Sequence, residues 1–83
     1  MPCVVDHAWE DAEWSKERNR HHAAVEAVLE KVLSAKLTNE EAKIELLYEK
    51  RLFAENYRNI FRGLYNKEGL ERGVQQILNG EIE

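Results

Sequence analysis

The sequence predicts an all-α protein in which two long helices form an antiparallel hairpin and a short third helix follows. Three observations support this fold class. Apolar residues recur every three to four positions through most of the chain, which is the spacing of one helix face. The single proline is Pro2 and the first glycine is Gly63, so neither residue interrupts a helix between them. A short segment at 36–39 divides this stretch into two helices.

The 83 residues are expected to form one helical domain, 1–83. A domain this small buries a modest core, and oligomerisation commonly adds to it. We therefore expect the hairpin to assemble into a dimeric helical bundle. The predicted segments are a flexible arm at 1–5, helices at 6–35, 39–66 and 70–78, and a frayed tail at 79–83.

The composition narrows the possible classes of function. The formal net charge is −4, which argues against a general nucleic-acid binder. Cys3 is the single cysteine, so no intramolecular disulfide can form. The amino-terminal residues carry no signal-peptide pattern, and no window is long and apolar enough to span a membrane. We expect a soluble cytoplasmic protein.

The first helix is expected to begin at Asp6, a candidate N-cap, and to run through an acidic segment that contains Trp9 and Trp14. Residues 15–22 contain no apolar side chain, so a helix start near Ser15 is the alternative. One helix face can nevertheless be followed across that stretch. Its members are Trp14, Arg18, His21, Val25, Val28, Leu29 and Val32.

The predicted turn leads into a capping box, because Thr38 is followed three residues later by Glu41. A connection this short makes the first two helices antiparallel neighbours. The resulting register places His21 near Phe53.

The second helix carries most of the large apolar residues, and the same register places Trp14 near Phe61 at its far end. Because the chain follows a helix of 3.6 residues per turn, these apolar residues share one face. The main face consists of Leu46, Phe53, Tyr57, Ile60 and Leu64.

A short third helix is expected after Gly69, which stands where a left-handed residue commonly closes a helix. Asn79 and Gly80 are expected to end it. A helix this short must pack on the hairpin or on a second chain. Its apolar face consists of Leu70, Val74, Ile77 and Leu78.

A second apolar row on the long helix consists of Ile44, Tyr48 and Leu52 and points to a different side. A third helix of about nine residues reaches back only about 13 Å, to roughly Tyr57, and leaves this apolar row uncovered. We expect another chain to cover it, and an unforeseen intramolecular cover is the alternative. A tyrosine between aliphatic residues also suits the centre of an interface.

Basic residues in the second half of the chain offer a different interpretation. Phosphate contacts, with tyrosines available for stacking, would make them a nucleic-acid surface. The competing and favoured interpretation is structural: the antiparallel hairpin sets the acidic residues 10–17 alongside Arg58 and Arg62, so that opposed charges fix the register. The nucleic-acid candidates are Arg51, Arg58, Arg62, Lys67 and Arg72.

The histidines do not form a metal-binding pattern. Zinc and di-metal sites in helical bundles use three or four ligands, often Glu-x-x-His or two histidines one turn apart, and neither spacing occurs here. His7 and Asp11 are one turn apart but have no evident third ligand. Adjacent residues point about 100° apart on a helix, so His21 and His22 cannot easily share an ion. We expect His21 to lie in a polar layer against Phe53.

No activated serine and no glycine-rich phosphate loop is present, so we predict no catalytic residue, metal or cofactor. The sequence indicates a small non-enzymatic regulator, adaptor or inhibitor that binds protein through the apolar row. Trp9 and Trp14 are candidate secondary anchors. The expected partner is another protein chain, either a second copy or a heterologous protein. Nucleic acid is the alternative partner, and no membrane is expected.

Overall fold

A computed structural model describes residues 8–81, with Ala8 by its backbone alone. Within this range the chain forms three helices and no strand: α1 (Ala8–Leu33), α2 (Asn39–Phe61) and α3 (Lys67–Leu78). The α1 and α2 helices pack together as a hairpin, and α3 packs on α2. The predicted all-α fold class is confirmed.

The α1 helix is continuous and runs through the polar residues 15–22 without a break. The alternative start near Ser15 is therefore wrong. Ion pairs along the helix surface support the polar stretch, such as Lys16 with Glu13 at 3.4 Å. The candidate N-cap Asp6 and the predicted arm at 1–5 lie outside the described residues.

A Schellman motif closes α1. The amide of Lys36 donates to the carbonyl of Lys31 at 2.8 Å, and the amide of Ala35 donates to the carbonyl of Val32 at 3.1 Å. Ala35 has a φ of 60°, the left-handed conformation that this motif requires. Because the motif begins there, α1 ends at Leu33 rather than at residue 35 as predicted.

The predicted capping box at the start of α2 is confirmed. The Thr38 hydroxyl accepts a hydrogen bond from the Glu41 amide, and the Glu41 carboxylate accepts one from the Thr38 amide, both at 3.1 Å. Two amides at the helix start are thereby satisfied. The closing motif of α1 and the capping box of α2 together reverse the chain within residues 34–38.

The α2 helix ends at Phe61, whereas the prediction placed its end at Asn66. The amides of Leu64 and Tyr65 both donate to the carbonyl of Phe61, which closes a turn. Asn66 instead caps α3, because its side chain accepts a hydrogen bond from the Gly69 amide at 2.8 Å. Gly69 therefore lies in the first turn of α3, and its predicted role in closing the second helix is wrong.

The α3 helix has 12 residues and begins at Lys67, three positions before the predicted start at 70. Its predicted end is confirmed. Gly80 has a φ of 81°, and the amide of Glu81 donates to the carbonyl of Gln76 at 2.8 Å, which forms a second Schellman motif. The last two residues of the predicted tail lie outside the described range.

The core is an aromatic stack between α1 and α2. Phe53 is fully buried, and the rings of His21 and Trp14 lie nearly parallel to it at centroid distances of 4.0 Å and 4.7 Å. Tyr57 and Phe61 meet the Trp14 ring edge-on at 5.2 Å and 5.7 Å. The predicted proximity of His21 to Phe53 and of Trp14 to Phe61 is confirmed.

The α3 helix covers the part of α2 that carries this stack. A Cβ atom at Gly73 would lie 2.3 Å from the Tyr57 hydroxyl, so the absence of a side chain allows the two helices to approach closely at this point. The buried cluster that results consists of Phe53, Ala54, Val74 and Ile77.

The hairpin therefore has two unlike halves. The half near the chain ends is covered by α3, which reaches back as far as Arg51, where Arg51 and Leu78 line one surface pocket. The rest of the other half, residues 23–52, has only α1 and α2. We call residues 23–52 the turn half. Large apolar side chains remain exposed there. They are Leu29, Leu33, Ile44, Leu47, Tyr48 and Leu52.

Candidate functional site

The apolar row predicted on α2 is exposed in the single chain. Ile44 and Tyr48 are each 69% exposed, and Leu52 is 36% exposed. Because the three residues lie one helical turn apart, they form a continuous ridge along the outside of α2. The apolar row is thus available to another molecule.

The reason that α3 leaves this row bare differs from the prediction. The prediction from helix length places the end of the third helix beside Tyr57. In the structure, Ile77 of α3 joins Phe53 in the core, one helical turn nearer the start of α2. The row stays uncovered because α3 packs on a different side of α2. Ala54, which packs against α3, lies about 120° around the α2 axis from Tyr48.

A groove between α1 and α2 runs beside the apolar row. Its volume is about 370 Å³. The small side chain of Ala24 leaves room between the helices, and the buried Val28 supplies an apolar wall. A concave apolar surface beside an exposed tyrosine is a shape that receives the side chains of a partner. The lining residues are Ala24, Val28, Ile44, Glu45, Tyr48 and Glu49.

The sequence patterns leave Ala24 and Val28 outside the predicted site, although a signal is present. The two residues are one turn apart on the α1 face that the predicted register sets against the middle of the apolar row. A small residue where two helices face each other leaves space that a larger side chain would fill.

The two tryptophans proposed as secondary anchors have different environments. Trp9 is 60% exposed and lies at the start of α1, at the opposite end of the hairpin from the turn. Trp14 is half-buried and stacks on Phe53. Trp14 is therefore a core residue and is not free to anchor a partner, whereas Trp9 stays a candidate.

The basic residues proposed for nucleic-acid contact do not form one free surface. Arg58 donates two hydrogen bonds to Glu71 of α3, each 3.1 Å long, and one to Glu55 at 2.6 Å. The expected pairing of Arg58 with acidic residues of the first helix is wrong, because these two partners lie on α2 and α3. The other nucleic-acid candidates are exposed: Arg51, Arg62, Lys67 and Arg72.

A charged network that the sequence patterns did not reveal joins α1 to α2. The two terminal nitrogens of Arg20 donate to the two carboxylate oxygens of Glu49 at 2.7 Å and 2.8 Å. The Nε atom of Arg20 donates to Glu17 at 3.0 Å, and Asn56 donates to the same carboxylate at 2.8 Å. Nδ1 of His21 lies 3.0 Å from Glu49, and it carries a proton because an ionised carboxylate can only accept.

Both carboxylates of the network are held in the ionised form. Burial raises the pKa of Glu17, but hydrogen bonds from Arg20 and Asn56 outweigh it, so this pKa lies below the ordinary 4.5. Burial likewise raises the pKa of Glu49, and hydrogen bonds from Arg20 and His21 bring it below 4.5. A carboxylic acid that donates protons near neutral pH needs a raised pKa. The network is therefore suited to linking the helices and unsuited to acid catalysis.

The position of Glu49 was the signal for this network. It lies one turn before Phe53 on the side of α2 that faces α1. A charged residue on a packed face needs a partner.

Among the described residues, no group of three or more His, Cys, Asp or Glu side chains is placed to hold a metal ion. The rings of His21 and His22 are 6.1 Å apart and inclined by 84°. His21 is held between the Phe53 ring and the Glu49 carboxylate. The pair of His7 and Asp11 cannot be placed, because His7 lies outside the described range.

Comparisons with protein-family models, with curated proteins and with solved structures find no match to this chain. In the described part of the chain, no helix is long and apolar enough to cross a membrane. Function is therefore inferred from the surfaces of the molecule itself.

Proposed function

We propose that this protein is a small, non-enzymatic cytoplasmic regulator, adaptor or inhibitor that binds another protein chain through the apolar row and the adjoining groove. The observation that carries the proposal is the exposure of Ile44 and Tyr48, each 69%, beside a groove with an apolar wall. A continuous exposed apolar surface on a small protein commonly marks a site of protein association.

The composition of the core supports the proposal, because the buried cluster contains none of the three residues of the apolar row. The buried cluster around Phe53 and Ile77 lies in the half of the hairpin that α3 covers. The apolar row lies in the turn half, on a side of α2 that the core leaves to solvent. Folding of the single chain therefore gives no reason for three large apolar residues at these positions, whereas an interface does.

The chemistry of Tyr48 also favours a protein partner. A tyrosine buries a large, stiff apolar ring and keeps a hydroxyl that can form a hydrogen bond at the edge of an interface. Aliphatic residues one turn before and one turn after it can exclude water from such a contact. The alternative function, nucleic-acid binding through the basic residues, is weakened by the two carboxylates that already bind Arg58.

The proposal is tested by placing the photo-crosslinking residue benzoylphenylalanine at position 48 in cells that produce the protein. Illumination should join the chain covalently to a protein partner, which mass spectrometry then identifies. The matched control carries the same residue at Tyr65, an exposed aromatic residue that lies outside the row. We expect a protein product at position 48 and none at position 65. Failure to obtain any protein product at position 48 would overturn the proposal.

A second measurement separates loss of binding from loss of folding. Tyr48→Asp changes an exposed side chain, so the helical circular dichroism signal should be unchanged. Partner binding, measured with the protein identified by crosslinking, should be lost because a charge is introduced into an apolar contact.

A further inference from the structure

We infer that the partner of the apolar row is a second copy of this chain, bound antiparallel about a two-fold axis beside Tyr48. The inference rests on the proposed function and identifies its partner. It is carried by three observations: the symmetry of the row, the distribution of charge along α2, and the size of the face formed with α1.

The row is complementary to itself. Ile44 lies four residues before Tyr48 and Leu52 lies four residues after it. When two α2 helices cross antiparallel at Tyr48, Ile44 of each copy meets Leu52 of the other, and the two tyrosines lie side by side. A two-fold interface requires this kind of self-matching patch, because each copy contributes the same residues.

The groove extends the contact to α1. The side of α2 that carries Tyr48 and the side that faces α1 adjoin each other, since Tyr48, Glu45 and Glu49 all line the same groove. A second hairpin placed on the row therefore brings its own α1 next to the first α1. Two hairpins in this arrangement form a four-helix bundle. Small residues on α1, Ala24 and Ala27, allow the two α1 helices to approach closely.

Charge favours the antiparallel arrangement. Residues 40–45 contain three glutamates and one lysine, a net −2, and residues 50–58 contain three basic residues and one glutamate, a net +2. The second value falls to +1 when Glu71, which binds Arg58, is included. Antiparallel helices set the net negative segment of each copy against the net positive segment of the other, and the two-fold axis forms this pairing twice. In this register Glu45 meets Arg51 of the other copy, whereas Glu41 meets Glu55. Parallel helices would set like charges together.

The size of the face fits a weak dimer. Residues 41–55 of α2 extend about 22 Å, and two neighbouring helices are roughly 20 Å wide. The flat area is therefore about 450 Å² on each copy, or about 900 Å² for the pair, before side-chain relief is counted. This value lies near the lower limit of about 1,000 Å² for a biological interface and below the roughly 1,200–2,000 Å² of stable ones, so we expect a weak dimer whose population depends on concentration.

The first test is the molar mass in solution by light scattering over a roughly hundredfold range of concentration. The native chain should reach twice its 9.7 kDa at the higher concentrations. Tyr48→Asp should raise the dissociation constant by on the order of 30-fold or more. The control is Leu33→Asp, which introduces the same charge about 180° around α1 from Ala24 and should leave the dimer intact. A native chain that stays monomeric throughout overturns the inference.

The second test determines the direction of pairing by disulfide crosslinking. Single cysteines replace Ile44 or Leu52 in a Cys3→Ser background, and the two variants are oxidised alone and as a mixture. Antiparallel pairing brings position 44 of one copy near position 52 of the other, so the mixture should crosslink while each variant alone should not. Crosslinking of each variant alone overturns the antiparallel arrangement, and no crosslink in any sample overturns self-pairing through the row.

These tests distinguish failure of the inference from failure of the proposed function. A photo-crosslinked product at position 48 that contains a different protein, with a monomeric native chain, refutes self-pairing and leaves the proposed function standing. No product at position 48 and no dimer refute both.

Discussion

Two Schellman motifs in this molecule use the same backbone geometry with different residues at the left-handed position. Ala35 closes α1 with a φ of 60°, and Gly80 closes α3 with a φ of 81°. A residue with a Cβ atom is strained in this conformation by about 1–2 kcal/mol, whereas glycine is not. The sequence therefore places an ordinary residue at one of two equivalent positions where glycine would fit better.

Ala35→Gly should raise the free energy of unfolding by about 1 kcal/mol, because relief of strain exceeds the added freedom of the unfolded chain. Gly80→Ala should lower it by a similar amount, since a Cβ there meets open space and the cost is conformational alone. Urea denaturation measures both changes. Ala23→Gly, in the interior of α1, is the control and should lower stability. A loss of stability in Ala35→Gly would contradict this account.

The charged network gives a second prediction for single residues. Glu49→Gln removes the charge that receives two hydrogen bonds from Arg20 and one contact from His21. We expect the free energy of unfolding to fall by about 2 kcal/mol, the range for hydrogen bonds to charged groups. Glu26→Gln, at an exposed position on α1, is the matched control and should change stability little. Equal effects of the two substitutions would show that the network does not stabilise the hairpin.

The same network predicts an acid limit of stability. The pKa values of Glu17 and Glu49 are lower in the folded chain than their ordinary 4.5, so both carboxylates stabilise the fold when ionised. This contribution is complete well above pH 4.5 and is lost as the pH falls through 4.5 toward the lower folded values. Thermal unfolding from pH 7 to pH 3 should show a steeper fall for the native chain than for Glu49→Gln. Parallel curves would argue against the network as the cause.

At the scale of the elements, the contact of α2 with α3 depends on one glycine. A Cβ at Gly73 would lie 2.3 Å from the hydroxyl and 2.6 Å from ring carbons of Tyr57, and that ring is itself packed against Trp14 and Phe61. The ring therefore cannot move aside without disturbing the aromatic stack.

Gly73→Ala should lower the free energy of unfolding by on the order of 1 kcal/mol. Alanine favours the helix by about 1 kcal/mol over glycine, but overpacking costs about 1–3 kcal/mol. The control is Gly63→Ala, where a Cβ would meet nothing within 4 Å and stability should not fall. Chemical denaturation measures both variants. A stabilised Gly73→Ala would mean that α3 can shift at little cost.

The start of α2 and the two helix boundaries between 61 and 67 illustrate what a local pattern can predict. Thr38 and Glu41 signal a helix start by spacing alone, because each satisfies the amide of the other. Asn66 and Gly69 carry a weaker signal that fits two interpretations, the end of one helix or the start of the next. The choice between them depends on α3 folding back onto Phe53, which is a contact between residues distant in sequence.

At the scale of the whole molecule, the turn half lacks the cover that α3 supplies elsewhere. Few buried contacts hold residues 25–33 and 40–47, whereas residues 53–61 pack against both neighbouring helices. Regions with fewer buried contacts open at lower free energy. The turn half should therefore be the less stable part of the monomer.

Hydrogen exchange measures this difference. In Tyr48→Asp, amides of residues 25–33 and 40–47 should exchange faster than those of residues 53–57. In the native chain, the turn half should gain protection as concentration rises, because self-association covers it. The control is Leu33→Asp, which should respond to concentration as the native chain does. Uniform protection along both helices of Tyr48→Asp would contradict the division into two halves.

The sequence by itself determined the helical class, the capping box that starts α2 and the end of α3, and it placed the chain reversal at 36–39, close to the observed 34–38. Each depends on hydrogen bonds and side chains within a few residues, as at Thr38 and Gly80. The length of the turn predicted the register of the hairpin. That register in turn predicted that His21 lies against Phe53. The apolar row was also readable, because periodicity on one helix separates its faces.

Only the tertiary structure decided which of these faces would be covered. The side of α2 on which α3 lies buries Ala54 and leaves Tyr48 in solvent, and no local pattern specifies that side. The partners of Arg58 and Arg20 were likewise decided by packing, because Glu71 and Glu49 reach them from other helices. The physical reason is the same in each case: these interactions join residues distant in sequence, and their geometry exists only once the helices have packed.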